Sequence, residues 1–430
     1  MVAGGTADQH GRMTAAVFRT PFPTRLTRGV TALALAAGAL GAGAVAPAAA
    51  HGTTVRPAAP VRPELPVPTG PHPVGTVTAR LVDHARHDPW VTSRPYRELM
   101  VSVWYPARKT GGSPRAPYMA PGAAERWDAE PRHGIPAGTV DWAGMRVHAR
   151  QGAPVDGRGG RRPVLLYSAG ANDPRTWNTA LVEDLASRGY VVVTVDHTYE
   201  SPGVQFPDGS VEDDEPLKDA LAGVTDDESL SRLLKKVMDV RVADDRFVLD
   251  RLGDLPGGLS RVVDRNRVGT VGHSAGGIAA AGTMYADKRV KAAVDLDGSL
   301  EYNGEPKGTH LTDVARHGVD RPLLLMGRDG VDHTTEPSWG AFWSRTPGWK
   351  ADFTLRGSRH QTYTDLTAVL PRTGQPRDVV EKNIGTVDPA RATAVRRAYV
   401  ASFFDRWLRD RDDHLLDGPS PRFPEVRHVP

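Results

Sequence analysis

Cysteine is absent from this 430-residue chain. That excludes thiol nucleophiles, thiolate zinc sites and iron–sulfur clusters. It does not argue against an oxidising compartment, because a chain of this length can bury a core large enough to dispense with disulfides. Aromatic residues are sparse at 7%, and lysine is rare beside arginine. No block of Lys and Arg interleaved with aromatics occurs, so nucleic-acid binding has no electrostatic footprint here. Net charge is low as well. The formal +3 resides wholly in the first 50 residues, which hold four arginines against one aspartate; the remainder carries 50 basic and 50 acidic residues.

Long apolar runs are also missing. The longest, Thr31 to Val45, is too short and too rich in Ala and Gly for a transmembrane helix. A basic stretch with Arg19, Arg25 and Arg28 precedes it, and Ala48-Ala49-Ala50 supplies a small-residue cleavage site before His51. This is the pattern of a signal peptide over residues 1–50, with Met1 or Met13 as start, and it predicts a secreted protein. No Arg-Arg pair precedes the apolar run, so a twin-arginine route is not supported.

What is present is glycine, 45 of them, with abundant Ala, Pro, Val and Arg. Residues 51–75 are Pro- and Thr-rich without a period and predict an extended linker. Strands and helices then alternate. Thr76–Val82 and Leu99–Tyr105 read as early antiparallel strands; Val164–Tyr167, Tyr190–Val195, Val268–Val271, Val290–Leu296, Pro322–Met326 and Phe353–Leu355 read as buried strands. Asp173-Pro174 reads as the start of a helix carrying Trp177, Leu181 and Leu185 and ending at Gly189. Thr225 with Glu228 reads as a capping box opening a helix with Leu230, Leu233, Leu234, Val237 and Val240 on one face. A last helix is expected to be capped by Asp388-Pro389 and to bury Val395, Tyr399, Phe403 and Trp407. The alternation predicts one α/β domain over 76–412, with a mostly parallel central sheet and helices on both faces, followed by a polar tail at 413–430.

The most informative segment is Gly272-His273-Ser274-Ala275-Gly276, running from a strand into the small-residue helix Gly277–Ala281. A strand-to-helix turn this tight needs neighbours nearly free of side chains, and it lifts the Ser274 hydroxyl clear of the sheet. The following helix N-terminus aims its unpaired N–H groups at the site where an oxyanion would form. Serine is a weak nucleophile at neutral pH and needs a base held by an acid. In α/β-hydrolases the chain order is Ser, acid, His. Of the later histidines, His360 follows a strand, lies in a polar loop led by Gly357 and precedes the last helix. Asp297 and Asp329 both end a strand and precede a glycine, and pattern alone does not separate them. Asp295 is expected to face the other side from Asp297. The oxyanion amides expected are Ala275, next to the nucleophile, and Ala171, after the turn at Gly170.

At these residues the chain resembles the plasma-type platelet-activating-factor acetylhydrolases and their secreted bacterial relatives. The resemblance runs from Leu99 to His360. It rests on Val103-Trp104-Tyr105-Pro106-Ala107, Ser168-Ala169-Gly170, Asp184–Tyr190, Val195-Asp196-His197, the Ser274 elbow, Leu296-Asp297-Gly298 and Gly357–Gln361 with Asp365. It implies an α/β-hydrolase fold, a metal-independent serine esterase releasing short acyl groups, and Asp297 as the acid. Ala169 stands where the family usually has histidine. Ala275 stands where mammalian members have a bulkier residue, so pocket shape does not carry over.

The resulting expectation is a secreted serine esterase acting on a small-molecule or lipid ester through Ser274, His360 and Asp297, without cofactor or metal. Transient contact with lipid surfaces is compatible with this, and no oligomeric state is implied. Rival readings are an actinobacterial lipase or cutinase-like polyesterase, and a non-catalytic hydrolase-like binding protein. His273 is expected to pack beneath the elbow, and Glu212–Glu215 to be a solvated acidic run. Trp339, Trp343 and Trp349 with Phe342 either line an acyl pocket or pack a helix.

Overall fold

Runs of mainly β-branched and aliphatic residues make strands that are buried on both faces, and this sequence supplies six. The structure, a computed structural model, describes residues 59–303 and 306–430. Residues 1–50, expected to be a signal peptide, lie outside the described residues. In chain order the strands are β1 (Val74–Asp83), β2 (Arg97–Pro106), β3 (Arg115–Pro117), β4 (Arg146–Gln151), β5 (Arg162–Ser168) and β6 (Val191–Asp196). A small hairpin, β7 (Val204–Gln205) with β8 (Val211–Glu212), stands apart. Then follow β9 (Val263–His273), β10 (Val290–Leu296), β11 (Leu323–Arg328), β12 (Lys350–Leu355) and β13 (Val426–Val429).

Eleven strands form one sheet in the order β13-β12-β11-β10-β9-β5-β6-β2-β1-β4-β3. The run from β6 through β5, β9, β10 and β11 to β12 is parallel throughout. β2 and β13 flank it antiparallel. Alternating side chains divide the core between the two faces. Leu165, Tyr167 and Val192 pack with the helices Thr179–Ser187 and Pro389–Arg409 on one side. Val164, Leu166 and Val193 pack on the other with the helices Asp227–Asp250 and Ala275–Ala286. This is the expected α/β-hydrolase layering.

Several local expectations shift. The helix read from Asp173-Pro174 begins at Thr179 after two turns, and Asp173 does not cap it. The capping box lies one residue later, with Asp226 accepting from Ser229 N and Ser229 accepting in return. The last helix starts as expected, Asp388 accepting from Arg391 N at 2.9 Å. Its Trp407 is half-buried rather than core. Both presumed appendages belong to the domain. In the described part of the linker, Leu65 is buried, Thr69 N donates to Asp184, and Arg397 donates to the carbonyls of Pro66 and Val67. The 413–430 segment is not a free tail, because its buried Phe423 precedes β13, which pairs with β12 and closes that edge of the sheet. Both corrections have one cause: a few apolar anchors and backbone hydrogen bonds suffice to dock a segment whose composition reads as loop.

Candidate active site

The site is built at the carboxyl ends of β5, β9, β10 and β12, the edge where open α/β sheets bind ligands. β9 ends at His273, and Ser274 turns the chain with φ 55° and ψ −124° before the helix begins at Ala275. A serine at positive φ is held there only by its surroundings. Ser274 N donates to Leu296 O at 2.9 Å, which ties the elbow to the end of β10. The flanking glycines are sterically required. A Cβ at Gly272 would run into the Gly276 backbone, and one at Gly276 would run into the Ser168 and Ala169 carbonyls.

Asp297, the residue after β10, also has positive φ, 60°, a conformation Asp tolerates better than most residues. The turn breaks the strand alternation and brings its carboxylate toward the loop after β12. There His360 Nδ1 lies 2.5 Å from Asp297 Oδ2. The second supports of that carboxylate were not legible in the sequence: Arg328 N donates to Oδ1 at 2.9 Å and Arg328 Nη1 to Oδ2 at 2.7 Å. Burial alone would raise the Asp297 pKa. The hydrogen bond from His360, the His360 charge and Arg328 outweigh it and hold the carboxyl below its ordinary range. Asp329 is exposed, and its backbone N–H, not its carboxylate, contacts Ser358. The structure therefore pairs His360 with Asp297 and not with Asp329.

Asp295 is fully buried beneath the elbow helix and takes different partners from Asp297, because the positive φ of Asp297 breaks the alternation that would otherwise put the two on one face. Asp295 Oδ1 accepts from Gly298 N at 2.8 Å, and burial raises its pKa well above the usual carboxylate range. His273 packs under the site as expected. Its Nε2 lies 2.9 Å from His360 O, its ring centroid is 4.5 Å from that of His360, and burial keeps it neutral by lowering its pKa. His360 itself remains partly open to solvent, its side chain 38% exposed. Ala275 opens the elbow helix, and Ala171 lies exposed in the loop after β5, so both expected oxyanion donors stand at this edge.

The aromatic residues of the Trp339 region pack rather than line a cleft. Trp339 and Phe342 are fully buried, Trp339 Nε1 donates to Gly298 O at 2.6 Å, and Trp343 stacks on His333. The acidic run is not wholly solvated. Asp214 is buried and accepts from Asn172 Nδ2 at 2.9 Å, next to the oxyanion loop. Beside Ala275 an apolar cluster of Val237, Met238 and Ile278 is bordered by half-buried Trp90, Leu217 and Tyr302. Among the described residues, one group has metal-ligand spacing, Asp412, His414 and Asp417. All three are exposed, and Arg406 pairs with both carboxylates.

Comparison with known proteins gives the same direction. Residues 61–207 match the family described as platelet-activating factor acetylhydrolase, isoform II, a match that stops before the elbow. A probable 1-alkyl-2-acetylglycerophosphocholine esterase of Arthroderma benhamiae is 29% identical over 382 residues, covering 84% of this chain and 92% of that protein. The platelet-activating factor acetylhydrolase of Gallus gallus is 24% identical over 61% of this chain and 67% of its own. The solved structure of a ferulic acid esterase from Streptomyces cinnamoneus is similar with a TM-score of 0.71 at 38% identity, covering 86% of this chain and 100% of that one. With an α/β-hydrolase sheet, a serine elbow and these relatives, the chain is a carboxylic ester hydrolase whose residues 61–207 match the platelet-activating factor acetylhydrolase isoform II family.

Proposed function

We propose that the protein hydrolyses short-acyl esters through an acyl-enzyme formed on Ser274, with His360 as base and Asp297 as its orienting acid. The observation that carries this reading is the 2.5 Å hydrogen bond between His360 Nδ1 and Asp297 Oδ2, beside a serine held at φ 55°. With Nδ1–H engaged by the carboxylate, Nε2 is the free base. It takes the Ser274 proton as the hydroxyl oxygen attacks the ester carbonyl. The Ala275 and Ala171 amides receive the oxyanion, and the protonated imidazole then gives its proton to the departing alcohol. Water repeats the sequence to release the acid and free Ser274. Substrates of acetyl-ester type are supported by the acetylhydrolase relatives, and export is supported by the signal-peptide pattern of residues 1–50.

A second reading of the substrate, a hydroxycinnamate ester, is favoured by the 38% identity to a ferulic acid esterase over that whole chain. One panel separates the two. Mature protein and Ser274→Ala are assayed on p-nitrophenyl esters from acetate to palmitate and on methyl ferulate. A Ser274-dependent maximum at acetate or butyrate is expected; a maximum at methyl ferulate would move the assignment to the second reading. Activity in Ser274→Ala within tenfold of wild type would overturn the serine mechanism.

A further inference from the structure

The mechanism above uses the Ala171 amide, yet Ala169, Gly170 and Ala171 have no polar side chains with which to hold their own loop. Within the loop Gly170 O accepts from Asp173 N at 3.3 Å, and a further restraint comes from a neighbouring helix. Arg241, on the helix Asp227–Asp250, is 2% exposed and reaches across to this loop. Its Nη1 donates to Ala169 O at 2.6 Å and its Nη2 to Gly170 O at 3.3 Å, while Nε donates to Glu200 Oε2 at 2.6 Å. Glu200, equally buried, neutralises the guanidinium, and its Oε1 accepts from the indole of Trp90 at 3.2 Å. Behind the loop Ser168 Oγ contacts both oxygens of Asp245 at 3.1 and 3.2 Å. In front, the Gly276 turn leaves no room for even a methyl group against Ser168 O and Ala169 O.

The Gly170 carbonyl and the Ala171 N–H belong to one peptide unit. A trans peptide is planar and its C=O and N–H point in opposite directions, so fixing the oxygen fixes the direction of the hydrogen. We propose that Arg241 is a positioning residue for the oxyanion hole, setting the aim of the Ala171 N–H by holding the Ala169 and Gly170 carbonyls, with Glu200 orienting the guanidinium. A cation on the carbonyl side also polarises the peptide and strengthens its N–H as a donor. Arginine suits this task because one planar fork serves a carboxylate and two carbonyls at once, which lysine cannot do.

This inference rests on the acyl-enzyme reading, and its test keeps the two apart. Wild type, Arg241→Lys and the charge-neutral pair Arg241→Met with Glu200→Gln are compared on p-nitrophenyl acetate. The same proteins are titrated with a trifluoromethyl ketone, whose adduct with the serine is a tetrahedral oxyanion, and their thermal unfolding is recorded. The charge-neutral pair guards against misfolding from an unpaired buried Glu200. Misaiming one donor is expected to lower kcat about 10- to 100-fold with KM within about threefold, and to weaken ketone binding in parallel. An unchanged kcat in folded Arg241→Lys overturns the proposal. So does a loss of kcat that leaves ketone affinity intact, because a merely structural arginine would not single out the oxyanion. An inactive wild type would instead overturn the acyl-enzyme reading itself.

Discussion

Replacing Asp297 by Asn tests the site most sharply. The wild-type carboxylate accepts from His360 Nδ1 at 2.5 Å, from Arg328 N at 2.9 Å and from Arg328 Nη1 at 2.7 Å. Asn is nearly isosteric, so packing is retained, but its amide has one acceptor oxygen where three donors converge. If that oxygen stays with Arg328, the NH2 group faces His360 and favours the tautomer in which Nδ1 is unprotonated, leaving a proton on the nitrogen that must act as base. In a serine triad this error lowers kcat about 10⁴-fold, or roughly 5 kcal/mol of barrier. Little of this should appear in KM, because Asp297 does not face the substrate. The control is Asp329→Asn: that carboxylate is exposed and Asp329 meets Ser358 only through its backbone N–H, so activity should stay within about twofold, as for surface changes generally. The assay is steady-state hydrolysis of p-nitrophenyl acetate, with circular dichroism to verify folding. A folded Asp297→Asn enzyme retaining more than a tenth of wild-type kcat, or a larger loss in Asp329→Asn, would refute the assignment.

Gly276→Ala should cost at least tenfold in activity and about 1–3 kcal/mol in stability, because its Cβ would enter the Ser168 and Ala169 carbonyls, which are backbone and cannot step aside. Gly111→Ala, where a Cβ meets open space, is the matched control by thermal unfolding. Glu183→Gln should change how stability depends on pH. Burial raises the Glu183 carboxyl to about 8, with Oε1 accepting from Ala149 N at 2.5 Å and Oε2 without a partner. Between the ordinary carboxylate range and about pH 8, the folded wild type holds a proton that the unfolded chain has lost, so its stability falls as pH rises. The Gln variant lacks this slope and should gain about 2–4 kcal/mol relative to wild type between pH 5 and pH 8, measured by urea unfolding. Parallel pH profiles would refute the buried-acid account.

Some of this architecture was legible because its cause is local. The Ser274 elbow announces itself through glycines that sterics require within two residues of the serine. Asp388-Pro389 marks the start of the last helix because a cap and a first-turn proline act on neighbouring backbone. Strand β10 matches its expected span because Val290–Leu296, exposed only at Lys291, is a buried run with sharp ends. Where several local signals compete, tertiary packing overrides them. Asp173-Pro174 carries a start signal, yet the chain makes turns up to Thr179, with Trp177 buried against Trp127 and Trp142.

By itself the sequence determined the α/β alternation, the Ser274 turn and the short set of residues that could serve as base and acid. These follow from periods of two and 3.6 and from steric demands spanning a few residues. Only the tertiary structure decided between Asp297 and Asp329, since both end strands before a glycine and differ in which one the His360 loop overlies. It also brought Arg328 onto the acid and Arg241 onto the oxyanion loop, and it turned the last residues into β13. Each of those depends on how distant segments are brought together by the order of strands in the sheet. A hydrogen bond across 31, 63 or 72 residues leaves no mark in the spacing of either partner.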